Sequence, residues 1–207
     1  MNRTLAALAL AAVISGCATQ PQGSNDNEPP VLHYSCGPWQ VSIGPATTAA
    51  MKAADGQNIQ LKQVVSGSGA LYKADEATWV HEKGGALSVS YQGAQLPECQ
   101  PLLTSKEWVV EDIDGKGVVD SSMTSLNFGT DGRLSGAAGC NRFFAGYRLD
   151  GRQLEINQAA TTMMACPEAL MQQERRFLNA LEAVDRLEID AGGALILSGK
   201  EHRILAR

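Results

Sequence analysis

The 207-residue chain lacks the patterns that mark most enzymes. Its three histidines, His33, His81 and His202, stand at no metal-ligand spacing, and neither H-E-x-x-H nor C-x-x-C occurs, so no metal site is read from it. It has neither a G-x-S-x-G elbow nor a P-loop. Gly67-x-Gly69 meets Tyr72 where a dinucleotide fingerprint needs its third glycine. Carboxylates are scattered, and no glycosidase pair can be picked out. The reading is therefore a non-enzyme with no cofactor. Basic residues are also short, 17 against 22 acidic, which argues against nucleic acid as a partner. A mild net charge of −5 favours encounter with a basic partner. Long apolar runs are missing too. The only uncharged apolar stretch, Leu5 to Ile14, is too short to span a bilayer as a helix.

What is present is a pattern of five cysteines. Cys17 ends the apolar N-terminal run, Cys36 and Cys99 bracket one stretch, and Cys140 and Cys166 fall in another. A 1 + 2 + 2 distribution suits an anchor and two separately stapled domains outside the reducing cytosol. Four cysteines allow three pairings, of which the domain-local one, 36–99 and 140–166, is the most economical. Met1-Asn2-Arg3 followed by the apolar run reads as a signal peptide over residues 1–16. Ile14-Ser15-Gly16-Cys17 resembles the bacterial lipobox. That resemblance implies cleavage before Cys17 and its acylation, where several chains on one residue anchor stably. Ala18, in place of Asp, implies by the same resemblance an outer-membrane address facing the periplasm. Residues 17–30 hold the lipidated cysteine and a polar tether rich in Pro, Gly, Ser and Asn. About 190 residues then remain, enough for one large or two small domains.

Residues 31–101 carry short alternating segments between turn signals: Val31–Tyr34, Trp39–Ile43, Ile59–Val64, Leu71-Tyr72, Thr78–Val80 and Ala86–Tyr91. These predict an all-β unit, a small antiparallel barrel. A core of about 70 residues is marginal. A Cys36–Cys99 bridge would tie first strand to last and contribute roughly 4 kcal/mol in the chain-entropy account.

Tyr34-Ser35-Cys36, Ser66-Gly67-Ser68-Gly69-Ala70-Leu71-Tyr72, Trp79, Lys83-Gly84 and Cys99 together resemble the membrane-bound inhibitors of c-type lysozyme, the MliC type. In that family a serine of the SGxxY loop and a lysine of the KG loop enter the enzyme's cleft. The resemblance implies those roles for Ser68 and Lys83, with Gly67, Gly69 and Tyr72 shaping the same partner-binding loop. A retaining glycosidase holds two carboxyl groups about 5 Å apart. A hydroxyl can donate to one, and an ammonium can pair with the ionised one in a partly desolvated cleft. Two departures stand out. Leu71 replaces the family's Arg or Lys, and Val80-His81-Glu82 puts three residues between Trp79 and Lys83 where one is usual. Glu82 would repel an acidic site.

Residues 102–207 read differently. Trp108–Ile113 and Ser125–Phe128 predict strands, and Thr130-Asp131-Gly132-Arg133 a turn. Gly139-Cys140-Asn141-Arg142-Phe143 and Thr161-Thr162-Met163-Met164-Ala165-Cys166 follow. These blocks resemble the META domain of HslJ-type heat-shock lipoproteins. The apolar spacing from Pro167 to Ala183 predicts an amphipathic helix, with Pro167 in its first turn. Arg186–Ile189 and Ala194–Ser198 predict a hairpin across Ala191-Gly192-Gly193. The expected architecture is α+β, an antiparallel sheet with one packed helix. Asn141 and Arg142 form either a polar capture site or a turn in which Asn141 bonds the backbone. The resemblance implies a role in envelope stress and brings no catalytic residue.

Two functional readings follow. One is an outer-membrane lipoprotein that inhibits c-type lysozyme. The other is a structural or envelope-stress lipoprotein acting through its META domain, with no effect on lysozyme. Oligomeric state is not legible in the chain.

Overall fold

Period-2 alternation governs the first half of the chain. In β1 (Leu32–Cys36) and β2 (Trp39–Ile43), Tyr34, Cys36, Trp39, Val41 and Ile43 all turn inward. The turn between them uses Gly37 at φ +61°, a conformation that glycine adopts without strain. The computed structural model describes residues 30–45, 47–120 and 122–207. The expected signal peptide, lipidated Cys17 and most of the tether lie outside these residues.

Among the described residues nine strands form one antiparallel sheet. After β1 and β2 come β3 (Thr48–Ala53), β4 (Asn58–Val64), β5 (Ala70–Lys73), β6 (Trp79–Lys83), β7 (Ala86–Tyr91), β8 (Ala94–Gln95) and β9 (Gln100–Pro101). Each strand from β1 to β7 pairs with the next, and β9 pairs with β1. The sheet curls around Trp39, Val41, Met51, Leu61, Tyr72, Val80 and Val89. The curl brings Trp39 of β2 within 4.7 Å, centroid to centroid, of Tyr91 of β7. The edges β8 and β9 do not pair, so the sheet is a half-barrel rather than a closed barrel. Cys36 and Cys99 are bonded and fasten β1 to the segment that enters β9. Sequence alternation missed β3, whose Thr-Ala-Ala-Met-Lys-Ala composition carries little strand signal.

The second half departs from the α+β expectation. A 3-10 turn (Leu102–Thr104) leads to β10 (Trp108–Ile113), β11 (Met123–Phe128), β12 (Arg133–Gly139), β13 (Arg142–Asp150), β14 (Gln153–Ile156) and β15 (Ala160–Thr161). Helix α1 (Glu168–Ala183) follows, then β16 (Arg186–Ile189), β17 (Leu195–Ser198) and β18 (Arg203–Ala206). The order β12-β11-β10-β18-β17-β16-β14-β13 returns on itself because β12 also pairs with β13. The result is a closed eight-strand barrel, with β15 added outside on β13. β12 approaches β11 closely at Gly136, where a Cβ would lie 1.9 Å from the Ser125 carbonyl oxygen. The helix does not cover a flat sheet. Its Phe177, Ala180 and Leu181 are fully buried in the same cluster as Trp108, Phe143 and Leu195. Phe177 meets Phe143 edge-on at 5.5 Å. Cys140 and Cys166 are bonded across the turn before β13 and the start of α1. Among the described residues no helix is long and apolar enough to cross a membrane.

Candidate partner-binding site

The loop Val65–Gly69 joins β4 to β5, and the turn Gly84-Gly85 joins β6 to β7. Because β5 and β6 are neighbours, loop and turn emerge at one end of the sheet. Ala70 pairs with Glu82 and Lys83 with Ala86. Both turn glycines have positive φ, +60° and +84°, as a two-residue hairpin turn requires. Lys83 is therefore the last strand residue before a tight reversal.

Gly69 is where the two loops touch. It has φ +67°, and a Cβ there would sit 2.1 Å from the Glu82 carbonyl oxygen and 3.1 Å from the Lys83 Cα. Only glycine permits that approach. Gly67, by contrast, has open space around it. Ser68 is exposed, and among the described residues its hydroxyl has no hydrogen-bond partner. Its backbone is occupied: the Ser68 N–H donates to Ser66 Oγ at 3.4 Å, and the Ser66 hydroxyl donates to the Ser68 carbonyl at 2.8 Å. Lys83 is exposed as well and forms no ion pair among the described residues. Tyr72 lies inside the half-barrel, 5 % exposed. Burial, helped by the Glu82 carboxylate, pushes its phenol up.

The longer Trp79-to-Lys83 segment has a definite geometry. It is one strand, so alternation separates its side chains. Val80 and Glu82 turn toward the concave side, while Trp79, His81 and Lys83 share the outer face. The Glu82 carboxylate accepts the Gly85 N–H at 3.0 Å and so caps the turn. Glu82 and Lys83 thus stand on opposite faces of β6. His81 Nε2 donates to the Ser68 carbonyl oxygen at 2.8 Å. That bond was missed in the sequence, although alternation along β6 already puts His81 and Lys83 on one face.

In the second barrel Asn141 is 4 % exposed and satisfied internally. Its Oδ1 accepts from the Met164 N–H and the Thr162 hydroxyl, each at 2.8 Å, and its Nδ2 donates to Glu174 at 3.0 Å. The Glu174 carboxylate also accepts the Asn141 N–H at 2.7 Å. This is the turn-forming arrangement, and it leaves only Arg142 of that pair exposed. An apolar groove of about 670 Å³ lies where β1 approaches the barrel, lined in part by Leu32, His33, Leu103, Leu149, Leu187 and Ile189. Burial pulls the His33 imidazole below its ordinary value, against smaller upward pulls from the Ile189 backbone, Asp190 and Glu188. Among the described residues no group of His, Cys, Asp and Glu could hold a metal ion.

The family model of the META domain matches residues 101–207, just over half of the chain. The chain belongs to the META domain family. Ahead of that META domain, the model described as membrane-bound lysozyme-inhibitor of c-type lysozyme matches residues 34–96, an MliC domain. An NMR structure of a protein from Burkholderia xenovorans is 27% identical, with 51% of this chain and 82% of that chain covered and a TM-score of 0.44. No curated protein matches. The Ser68 loop and the Lys83 turn both lie within the MliC domain, and Asn141 and Arg142 within the META domain.

Proposed function

We propose that the MliC domain binds and inhibits c-type lysozyme by placing Ser68 and Lys83 in the enzyme's active-site cleft, while an acylated Cys17 holds the protein at the outer membrane, facing the periplasm. The observation that carries the reading is the meeting of the two loops at Gly69, which sets at one end of the sheet a hydroxyl and an ammonium that have no partner among the described residues. Two carboxyl groups of a retaining glycosidase present a matching target, one able to accept from the hydroxyl and one to pair with the ammonium. Glu82 stands on the opposite face of β6 from Lys83, with its carboxylate accepting the Gly85 N–H. Glycines around Ser68 keep the loop narrow enough for a cleft.

The test is lysis of a bacterial cell suspension by c-type lysozyme, followed by turbidity, with the purified full chain added. Wild type should inhibit, and Ser68→Ala and Lys83→Ala should each weaken inhibition about tenfold, the loss of one charge-assisted hydrogen bond. Full lysozyme activity at high micromolar protein would refute the reading.

A second reading, an envelope-stress role through the META domain, is favoured by one observation. Met123, Phe144, Met163 and Met164 are exposed around the Gly139–Asn141 turn, and exposed methionines make adaptable contact surfaces. A deletion strain sensitive to heat or antibiotics yet unchanged toward lysozyme would support it.

A further inference from the structure

We infer that His81 is the positioning residue of the inhibitory edge: its Nε2–H bond to the Ser68 carbonyl locks the Ser68 loop to the strand that carries Lys83. The inference rests on the proposed lysozyme reading and deepens it. Among the described residues, the 2.8 Å bond from His81 is the only hydrogen bond that ties the loop tip, Val65 to Gly69, to another element. The remaining bonds there, between Ser66 and Ser68, are local and leave the tip free to move as a body. Gly67 and Gly69 add backbone freedom to the same five residues. Without an outside tie, the loop would have to be ordered at the moment of binding, at a cost in entropy.

His81 is well placed for the task. It stands opposite Leu71 in the β5–β6 register, and Lys83 lies two residues further along on the same face. A histidine ring on β6 therefore reaches back over β5 to the loop that enters it. The acceptor is a carbonyl, so Nε2 must carry a proton. A neutral His81 is thereby held in the Nε2–H tautomer, and the Ser68 hydroxyl stays uncommitted. The bond spends the backbone of Ser68 and spares its side chain.

The experiment compares wild type, His81→Phe, His81→Gln and Lys83→Ala, each as the full chain in detergent, by two readouts. The first is nitrogen-15 relaxation of residues 65–69 together with the imidazole tautomer in the free protein. The second is lysozyme inhibition. Expected are a wild-type ring protonated at Nε2 and a loop ordered like the strands. His81→Phe should lower the loop order parameters toward those of a flexible segment, below about 0.6, and weaken inhibition about tenfold. His81→Gln, which keeps an N–H donor, should restore both within about threefold. Lys83→Ala should weaken inhibition and leave loop order intact. An Nδ1–H tautomer, an equally ordered loop in His81→Phe, or a mobile loop with undiminished inhibition would each overturn the inference. If wild type itself fails to inhibit, the lysozyme reading falls, and the relaxation data alone decide whether His81 orders the loop.

Discussion

Single atoms decide most of what happens at the Ser68 loop and at the Asn141 turn. Asn141 joins three partners at one buried point, so Asn141→Ala should cost about 3 kcal/mol by leaving Glu174 and the Met164 N–H without it. Urea unfolding measures this, and a loss under 1 kcal/mol would contradict the account. Gly69 and Gly67 should part company. Gly69→Ala drives a methyl group into the Glu82 carbonyl and should displace the Ser68 loop and abolish inhibition, while Gly67→Ala should leave the fold unchanged. Lysis assays and thermal melts of the two variants separate these outcomes. Ser68 and Lys83 were legible only through the resemblance of the surrounding motifs to the MliC family, since by themselves they read as a turn residue and a surface charge. His81 was not legible, because a hydrogen bond between residues 13 positions apart depends on strand register, which sequence alternation only narrows.

Elements differ in how much of their stability is local. Helix α1 has Pro167 at its start and Glu168 in its first turn, and its sequence period already showed which face is buried. What that face packs against was not legible. Phe177 enters a barrel core beside Phe143, so Phe177→Ala should cost about 3–5 kcal/mol, read as a lowered denaturation midpoint. The disulfides act on elements too. Cys36–Cys99 closes a span of 63 residues and Cys140–Cys166 one of 26. In the chain-entropy account these contribute about 4 and about 3.5 kcal/mol. Reduction should therefore lower the melting temperature in two steps if each sheet unfolds by itself, and Cys36→Ser with Cys99→Ser should lower only the transition of the half-barrel. Calorimetry with and without reductant checks both.

At the scale of the whole molecule, His33 couples pH to the place where β1 meets the barrel. Its folded-state affinity for protons is depressed by burial, so the unfolded chain binds the proton more readily. Its contribution to stability is full above the ordinary imidazole value of about 6.5 and is lost as pH falls below it. The melting temperature should drop between pH 7 and pH 5, and His33→Gln should flatten that drop. Asp114 answers in a lower window. Burial pushes its carboxyl up, but the Arg203 N–H and His202 together outweigh this and hold it below the ordinary value. Its contribution is present above about 3.8 and disappears only at more acid pH. An unchanged melting temperature from pH 7 to 5 in wild type would rule out the His33 account.

The sequence alone determined the order of MliC and META domains, the strands with clear alternation and the face of α1, because each rests on residue types and short spacings. Tertiary structure decided the rest. The second sheet closes into a barrel through β12–β13, and the first stops at a half-barrel, because closure is set by which distant edges meet. β18 was likewise invisible: its four residues are held between β10 and β17, and the pairing on both sides makes the strand. The Ser68–Lys83 edge belongs to both levels. Its residues are written in the chain, but their contact exists only because β5 lies beside β6 and Gly69 has no side chain to keep them apart.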